Sequence, residues 1–90
     1  MIKTIHLIVY KMKTNEIVIC KQTFYNSILK RISFTKNKSY KIDLIDKYYI
    51  WIDDDEYWSE YMFLSDKSDR NFSDYFYNKE EIRLLKLNSL

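Results

Sequence analysis

Residues 48–63 alternate twice about an acidic centre. Tyr48, Ile50 and Ile52 fall on one face of a strand, and Tyr49, Trp51 and Asp53 fall on the other. Past the centre, Tyr57, Ser59, Tyr61 and Phe63 alternate with Trp58, Glu60, Met62 and Leu64. Period two of this kind predicts a pair of strands joined at an acidic tip. Both faces carry large side chains, more than one core face needs, and the stretch holds both tryptophans of the chain.

The same pattern organises the rest of the chain. Residues 2–12 set Ile2, Thr4, His6, Ile8 and Tyr10 against Lys3, Ile5, Leu7, Val9 and Lys11, a long strand expected to be central because its middle is apolar on both faces. Lys13, Thr14 and Asn15 supply a turn, with Asn15 suited to the left-handed conformation. A second strand is expected over 16–25, a turn at Asn26-Ser27, and a third strand over 28–35 with Ile28, Ile32 and Phe34 on its apolar side. Residues 36–39 form a polar hairpin loop, and a fourth strand over 40–45 sets Tyr40, Ile42 and Leu44 opposite Lys41 and Asp43. After a polar loop over 65–70 the period lengthens. Ser73 is a candidate N-cap, and Asn78 with Glu81 has capping-box spacing. Residues 72–87 therefore read as one broken helix or two short ones, with a strand over 82–87 as the alternative. The predicted fold is α+β: an antiparallel meander of five or six strands with a C-terminal helix packed on one face, in a single compact domain over 1–90.

Composition sharpens this in three ways. The chain is 47% hydrophobic and 18% aromatic, too apolar for a disordered segment. No apolar run approaches the roughly 20 residues of a membrane-spanning helix, and the short run after Met1 lacks a small-residue cleavage site, so it reads as a strand. A single cysteine, Cys20, cannot close an internal disulfide, which suits a reducing, cytoplasmic setting. Glycine, proline and alanine are all absent. AT-rich coding accounts for that bias and points to a low-GC bacterium or a phage or plasmid living in one. With no glycine, positions requiring positive φ are expected to fall to asparagine or aspartate.

The net charge of +2 conceals a polarity along the chain. Residues 1–50 hold ten lysines and arginines against three acids, a net +7, and residues 51–90 hold five against ten, a net −5. Such asymmetry bears on partners rather than on fold, unless the halves attract each other inside one domain.

Two candidate sites follow. The first is the tip: Asp53, Asp54, Asp55 and Glu56 with Trp58, Glu60 and Tyr61, carboxylates for pairing with Arg or Lys beside aromatics of the kind that dominate binding hot spots. The second is basic, Lys30, Arg31, Lys36, Lys38 and Lys41, suited to phosphates, with aromatic neighbours suited to unpaired bases. Catalysis has no comparable support. His6 is the sole histidine, and Cys20 reads as a buried inert thiol. One histidine and one cysteine cannot make a zinc site, a calcium loop lacks its glycine, and phosphate-cradling glycine loops are absent. No cofactor, resident metal or enzymatic activity is expected, and no motif points to a known family. The leading expectation is a small viral or mobile-element protein that inhibits a host protein with a basic or nucleic-acid-binding surface by stoichiometric occlusion, as anti-restriction and anti-CRISPR inhibitors do. A small RNA- or DNA-binding β domain is the alternative, and a homodimer suits the surplus aromatic face.

Overall fold

A computed structural model describes residues 11–64 and 69–88. Most of the long first strand expected over 2–12, with His6, lies outside the described residues, as does part of the loop over 65–70. Among the described residues nine elements follow in order: β1 (Ile17–Cys20), β2 (Phe24–Asn26), β3 (Arg31–Phe34), β4 (Ser39–Ile45), β5 (Tyr49–Asp53), β6 (Ser59–Phe63), α1 (Phe72–Tyr75), β7 (Phe76–Tyr77) and α2 (Lys79–Asn88). Five strands form an antiparallel sheet in the order β6-β5-β4-β1-β7, and β2 pairs with β3 in a separate two-stranded sheet. With the C-terminal helix, this is the α+β fold expected from the periodicity. Among the described residues, no helix is long and apolar enough to cross a membrane.

The β5–β6 hairpin keeps the predicted alternation. Ile50 pairs with Met62 and Ile52 with Glu60 on the inner face, while Tyr49 pairs with Phe63 and Trp51 with Tyr61 on the outer. β4 departs from its pattern midway. A bulge between Ile42 and Leu44 inserts one residue, and one residue is enough to exchange faces. Tyr40 and Ile42 are therefore buried, whereas Leu44 is turned out.

The expected second strand breaks after Cys20, because the backbone there is claimed from two sides. The Cys20 N–H donates to Lys38 O and its carbonyl accepts from Asn37 N, then the Lys21 N–H donates to Tyr75 O at 2.7 Å. The chain leaves the main sheet at that point and re-forms as β2. Asn26 then builds the next turn: its Oδ1 accepts the N–H groups of Ile28 and Leu29, and its carbonyl accepts that of Lys30. The turn consumes the expected start of the third strand, leaving Ile28 82% exposed and Ile32 half exposed, while Ser33 and Phe34 are both fully buried. Residues 36–39 consequently join strands of different sheets and do not close a hairpin.

Asn71, not Ser73, caps α1; its Oδ1 accepts the Asp74 N–H at 3.0 Å. The capping box at α2 forms as its spacing indicated, Asn78 N donating to Glu81 Oε1 and Glu81 N to Asn78 Oδ1 at 2.9 and 2.8 Å. Residues 82–87 are therefore helix, and the break between the helices is filled by β7, which pairs with β1. α2 lies against β1 and β7, with Leu84, Leu85 and Leu87 still exposed.

Phe34 is the centre of the core. Its ring meets Tyr40 and Phe76 edge-on with centroids 5.0 Å away in both cases, and meets Phe24 at 6.3 Å. Edge-to-face pairs add stabilisation beyond burial alone. Val18, Cys20, Ile42, Ile50, Ile52, Met62 and Phe72 complete the cluster, so both sheets and α1 converge there. Phe34→Ala is expected to cost about 3–5 kcal/mol in urea unfolding, and Ile32→Ala less than about 1 kcal/mol because its side chain already faces water. Equal costs at the two positions would place the β3 register elsewhere.

Candidate functional site

The loop between β5 and β6 is closed by its own backbone. Asp54 N donates to Trp58 O at 2.8 Å, and Tyr57 N donates to Asp54 O at 3.0 Å. The Asp54 carboxylate finishes the closure: Oδ1 accepts the N–H groups of Glu56 and Trp58, at 2.8 and 2.9 Å, and Oδ2 receives Arg31 Nη2 at 2.9 Å. The Asp54 side chain has no exposure at all. Asp55 locks the other flank. Its N–H donates to Ser33 O, its Oδ1 accepts from Lys38 Nζ at 2.8 Å and Tyr40 Oη at 2.6 Å, and its Oδ2 accepts from Thr35 Oγ1 at 2.7 Å.

Glu60 is the inward acid of β6. Asn26 Nδ2 donates to its Oε1 at 2.9 Å and Ser33 Oγ to its Oε2 at 2.6 Å, with Arg70 and Arg31 at 3.4 and 3.9 Å. Hydrogen bonds from β2 and β3 thus converge on one carboxylate of the main sheet. Burial, followed by the adjoining Asp54 carboxylate, raises the pKa of Glu60. For Asp54, burial opposes ionisation, but the bond with Glu60, the Trp58 and Glu56 N–H groups and Arg31 outweigh it and hold the pKa below the usual range. Asp55 is lowered in the same sense: burial opposes its charge, and Lys38, Tyr40 and Thr35 overcome it.

The sequence placed these acids on a recognition surface, and the structure turns three of them inward. Asp54 and Glu60 are buried and Asp55 is enclosed by donors, whereas Asp53 is half-buried and Glu56 and Trp58 are exposed. Tyr61 lies on the outer face of β6, with the Arg70 guanidinium 4.4 Å from its ring centroid. The basic candidates are divided as well. Arg31 and Lys38 are the internal partners of Asp54 and Asp55. Lys30 sits at the β2–β3 turn, Lys36 in the loop before β4, and Lys41 on the outer face of β4 opposite Ile17. Part of the charge separation along the chain is thus used inside the fold, where the basic β3 segment meets the acidic tip.

What the sequence reading missed is the backbone conformation of Tyr57, one of the aromatics that bracket the acidic tip. Tyr57 is 89% exposed, Trp58 beside it is 66% exposed, and the φ of Tyr57 is +64°. A bulky side chain in the left-handed region is an outlier that the surrounding structure must enforce. Asn15 and Asn37 meet the expectation that asparagine fills such positions, but Lys30 and Tyr57 do not. A signal was present: a hairpin loop this tight needs a positive φ, and residues 54–58 contain neither glycine nor asparagine. A groove of about 290 Å³ runs beside Tyr57, bordered by Lys38, Tyr40, Lys41 and Asp53.

Chemically, the tip offers two aromatic faces, a phenol, an indole N–H and the Glu56 carboxylate on a loop whose backbone is held in place. Among the described residues, no three His, Cys, Asp or Glu side chains are grouped to hold a metal ion. Cys20 is buried, its thiol donates to Gln22 O, and burial pushes its pKa up, the reverse of an activated nucleophile.

Asp54→Ala is expected to cost about 2–4 kcal/mol, since it strands Arg31, which keeps some contact with water. Glu56→Lys, two residues away, should stay within about 0.5 kcal/mol. The pH dependence carries both signs. Stability from Asp54 and Asp55 is present above their unfolded pKa and is lost as pH falls through their lowered folded values. Stability from protonated Glu60 is present below its unfolded pKa and is lost as pH rises through its raised folded value. A maximum around pH 4–5 is therefore expected from this cluster, and Glu60→Gln should flatten the decline on the alkaline side in melts run from acid to neutral pH. An unchanged slope in that variant would remove Glu60 from the account.

Comparison of the chain with protein-family models, with curated proteins and with solved structures found no match in any of the three.

Proposed function

We propose that the protein is a non-catalytic binding domain that occludes a partner protein stoichiometrically through the β5–β6 tip, with Tyr57 and Trp58 as the anchoring side chains. The observation that carries this is Tyr57 itself, held at φ +64° while 89% exposed. The left-handed backbone closes the loop, but the choice of tyrosine for that position stabilises nothing in the isolated fold, because the ring contributes almost no buried surface. Strain kept at an exposed aromatic fits a surface retained for contact. Tyr and Trp are the residues enriched at binding hot spots, and a loop already fixed by Asp54 and Asp55 loses little further freedom on docking.

This reading keeps the location expected from the sequence and changes the chemistry. The aromatics carry the contact, while Glu56 and Asp53 supply charge at the rim. A partner with an apolar pocket edged by lysine or arginine fits such a tip. A host nucleic-acid-handling protein, including one from a restriction or CRISPR defence system, would offer that combination. The basic alternative is weaker on geometry, because Lys30, Lys36 and Lys41 are spread over a turn, a loop and the outer sheet face.

The test separates binding from folding. Tyr57→Asn relieves the left-handed strain and should raise stability by about 0.5–1 kcal/mol, yet it should abolish capture of the partner from a low-GC bacterial lysate. Trp58→Ala should leave the melting temperature unchanged and abolish the same capture. Retention of the same proteins by wild type and both variants would overturn the proposal. So would tight, steeply salt-sensitive binding of labelled RNA or DNA that these variants leave intact.

A further inference from the structure

Among the described residues the main sheet ends in β6 on one side and in β7 on the other. β7 is two residues long, too short to template a further strand. β6 is five residues long and pairs with β5 without a break in register. Its sequence, Ser59-Glu60-Tyr61-Met62-Phe63, holds no lysine, no proline and no bulge, the features that usually keep an edge strand from pairing with another chain.

The register shows which backbone groups lie on that edge. Asp54 N donates to Trp58 O at one end of the hairpin and Leu64 N to Tyr48 O at the other. Hydrogen-bonded and non-bonded pairs alternate along an antiparallel ladder. Ile50 therefore bonds with Met62 and Ile52 with Glu60, while the backbone groups of Ser59, Tyr61 and Phe63 point away from β5. Phe63 is answered from outside the strand: its N–H donates to Arg70 O at 2.8 Å, and it forms a parallel bridge with Asn71. Ser59 and Tyr61 are the next two positions along the same edge.

The Arg70 side chain continues where its carbonyl stops. Its guanidinium lies 4.4 Å from the centroid of the Tyr61 ring on the outer face, and 5.1 Å from that of the Phe24 ring in the core. Its Nη2 is 3.4 Å from Oε1 of the inward-facing Glu60. A group within reach of an outer-face ring and an inner-face carboxylate lies across the edge between them. The side chain is only 18% exposed, so it is packed there by the two rings and the ion pair.

We infer that Arg70 is a latch on the edge of the main sheet: laid across β6 at Tyr61, it denies that position to an added strand and keeps the chain from pairing edge to edge with a second copy. The carbonyl of Arg70 closes the edge at Phe63 and its guanidinium closes it at Tyr61. Ser59 alone stays accessible, too little for a second strand to pair with. The protection comes from outside β6, which is why the strand itself carries neither lysine nor proline. The latch concerns the sheet edge and is independent of what the tip binds.

Removing the latch tests it. Arg70→Ala combined with Glu60→Gln, which avoids stranding a buried carboxylate, should keep the far-UV circular dichroism of wild type. In sedimentation velocity it should rise in mass with concentration where wild type does not. In the associated form, hydrogen exchange at the Ser59 and Tyr61 amides should slow at least about tenfold, because only an added strand bonds those groups. Arg70→Lys keeps a cation for Glu60 but loses the planar face that rests on the rings, and should associate more weakly. Adding Ser59→Pro to the first variant should return it to monomer, since proline is tolerated at the first position of an edge strand and offers no N–H. Four results overturn the inference: folded monomers in both Arg70 variants, association that leaves the Ser59 and Tyr61 amides exchanging at wild-type rates, wild type associating as readily as the variants, or both variants unfolding, which would make Arg70 an anchor of the fold alone.

Discussion

Everything around the β5–β6 tip depends on carboxylates that have been taken out of water and given donors. Asp54 receives two backbone N–H groups and Arg31, and Glu60 receives Asn26 and Ser33. Desolvating such groups is costly unless each lone pair finds a partner, and leaving one unpaired costs more than the bond itself contributes. Once β2 and β3 supply those partners, they cannot slide along the main sheet without orphaning Glu60. Apolar burial brings the two sheets together, and the carboxylates decide their register.

The same network accounts for the tip. Without glycine, the chain must place an ordinary residue in the left-handed region to close the loop, and that residue is Tyr57. The strain is offset by the hydrogen bonds of Asp54 and Asp55, which hold the loop whether or not Tyr57 favours it. The outcome is a pair of exposed aromatics on a loop with little freedom left to lose. Preorganised aromatic surface is what a binding site needs and what a solvated turn does not. The outer face of the hairpin is a separate matter. Its rings pack on one another and leave a half-buried aromatic platform.

Local periodicity determined much of this molecule. Alternation over 48–63 defined both strands of the hairpin and which residues share a face, because the two-residue period of a strand is set by the backbone alone. The asparagines at 15 and 78 likewise announced a turn and a helix start, the first by taking a positive φ and the second by the bonds of its capping box. Tertiary structure decided what local pattern could not. The break after Cys20 follows from backbone groups claimed by Asn37 and Lys38 on one side and by Tyr75, more than fifty positions later, on the other, and the exposure of Leu44 follows from a bulge that slips the register by one. Above all, the fate of the acids lay outside the sequence. Asp54 and Glu56 are both carboxylates of one acidic run, yet one is buried against Arg31 and the other is in water. A carboxylate's role depends on which donors reach it, and those donors come from strands that only the folded chain brings near.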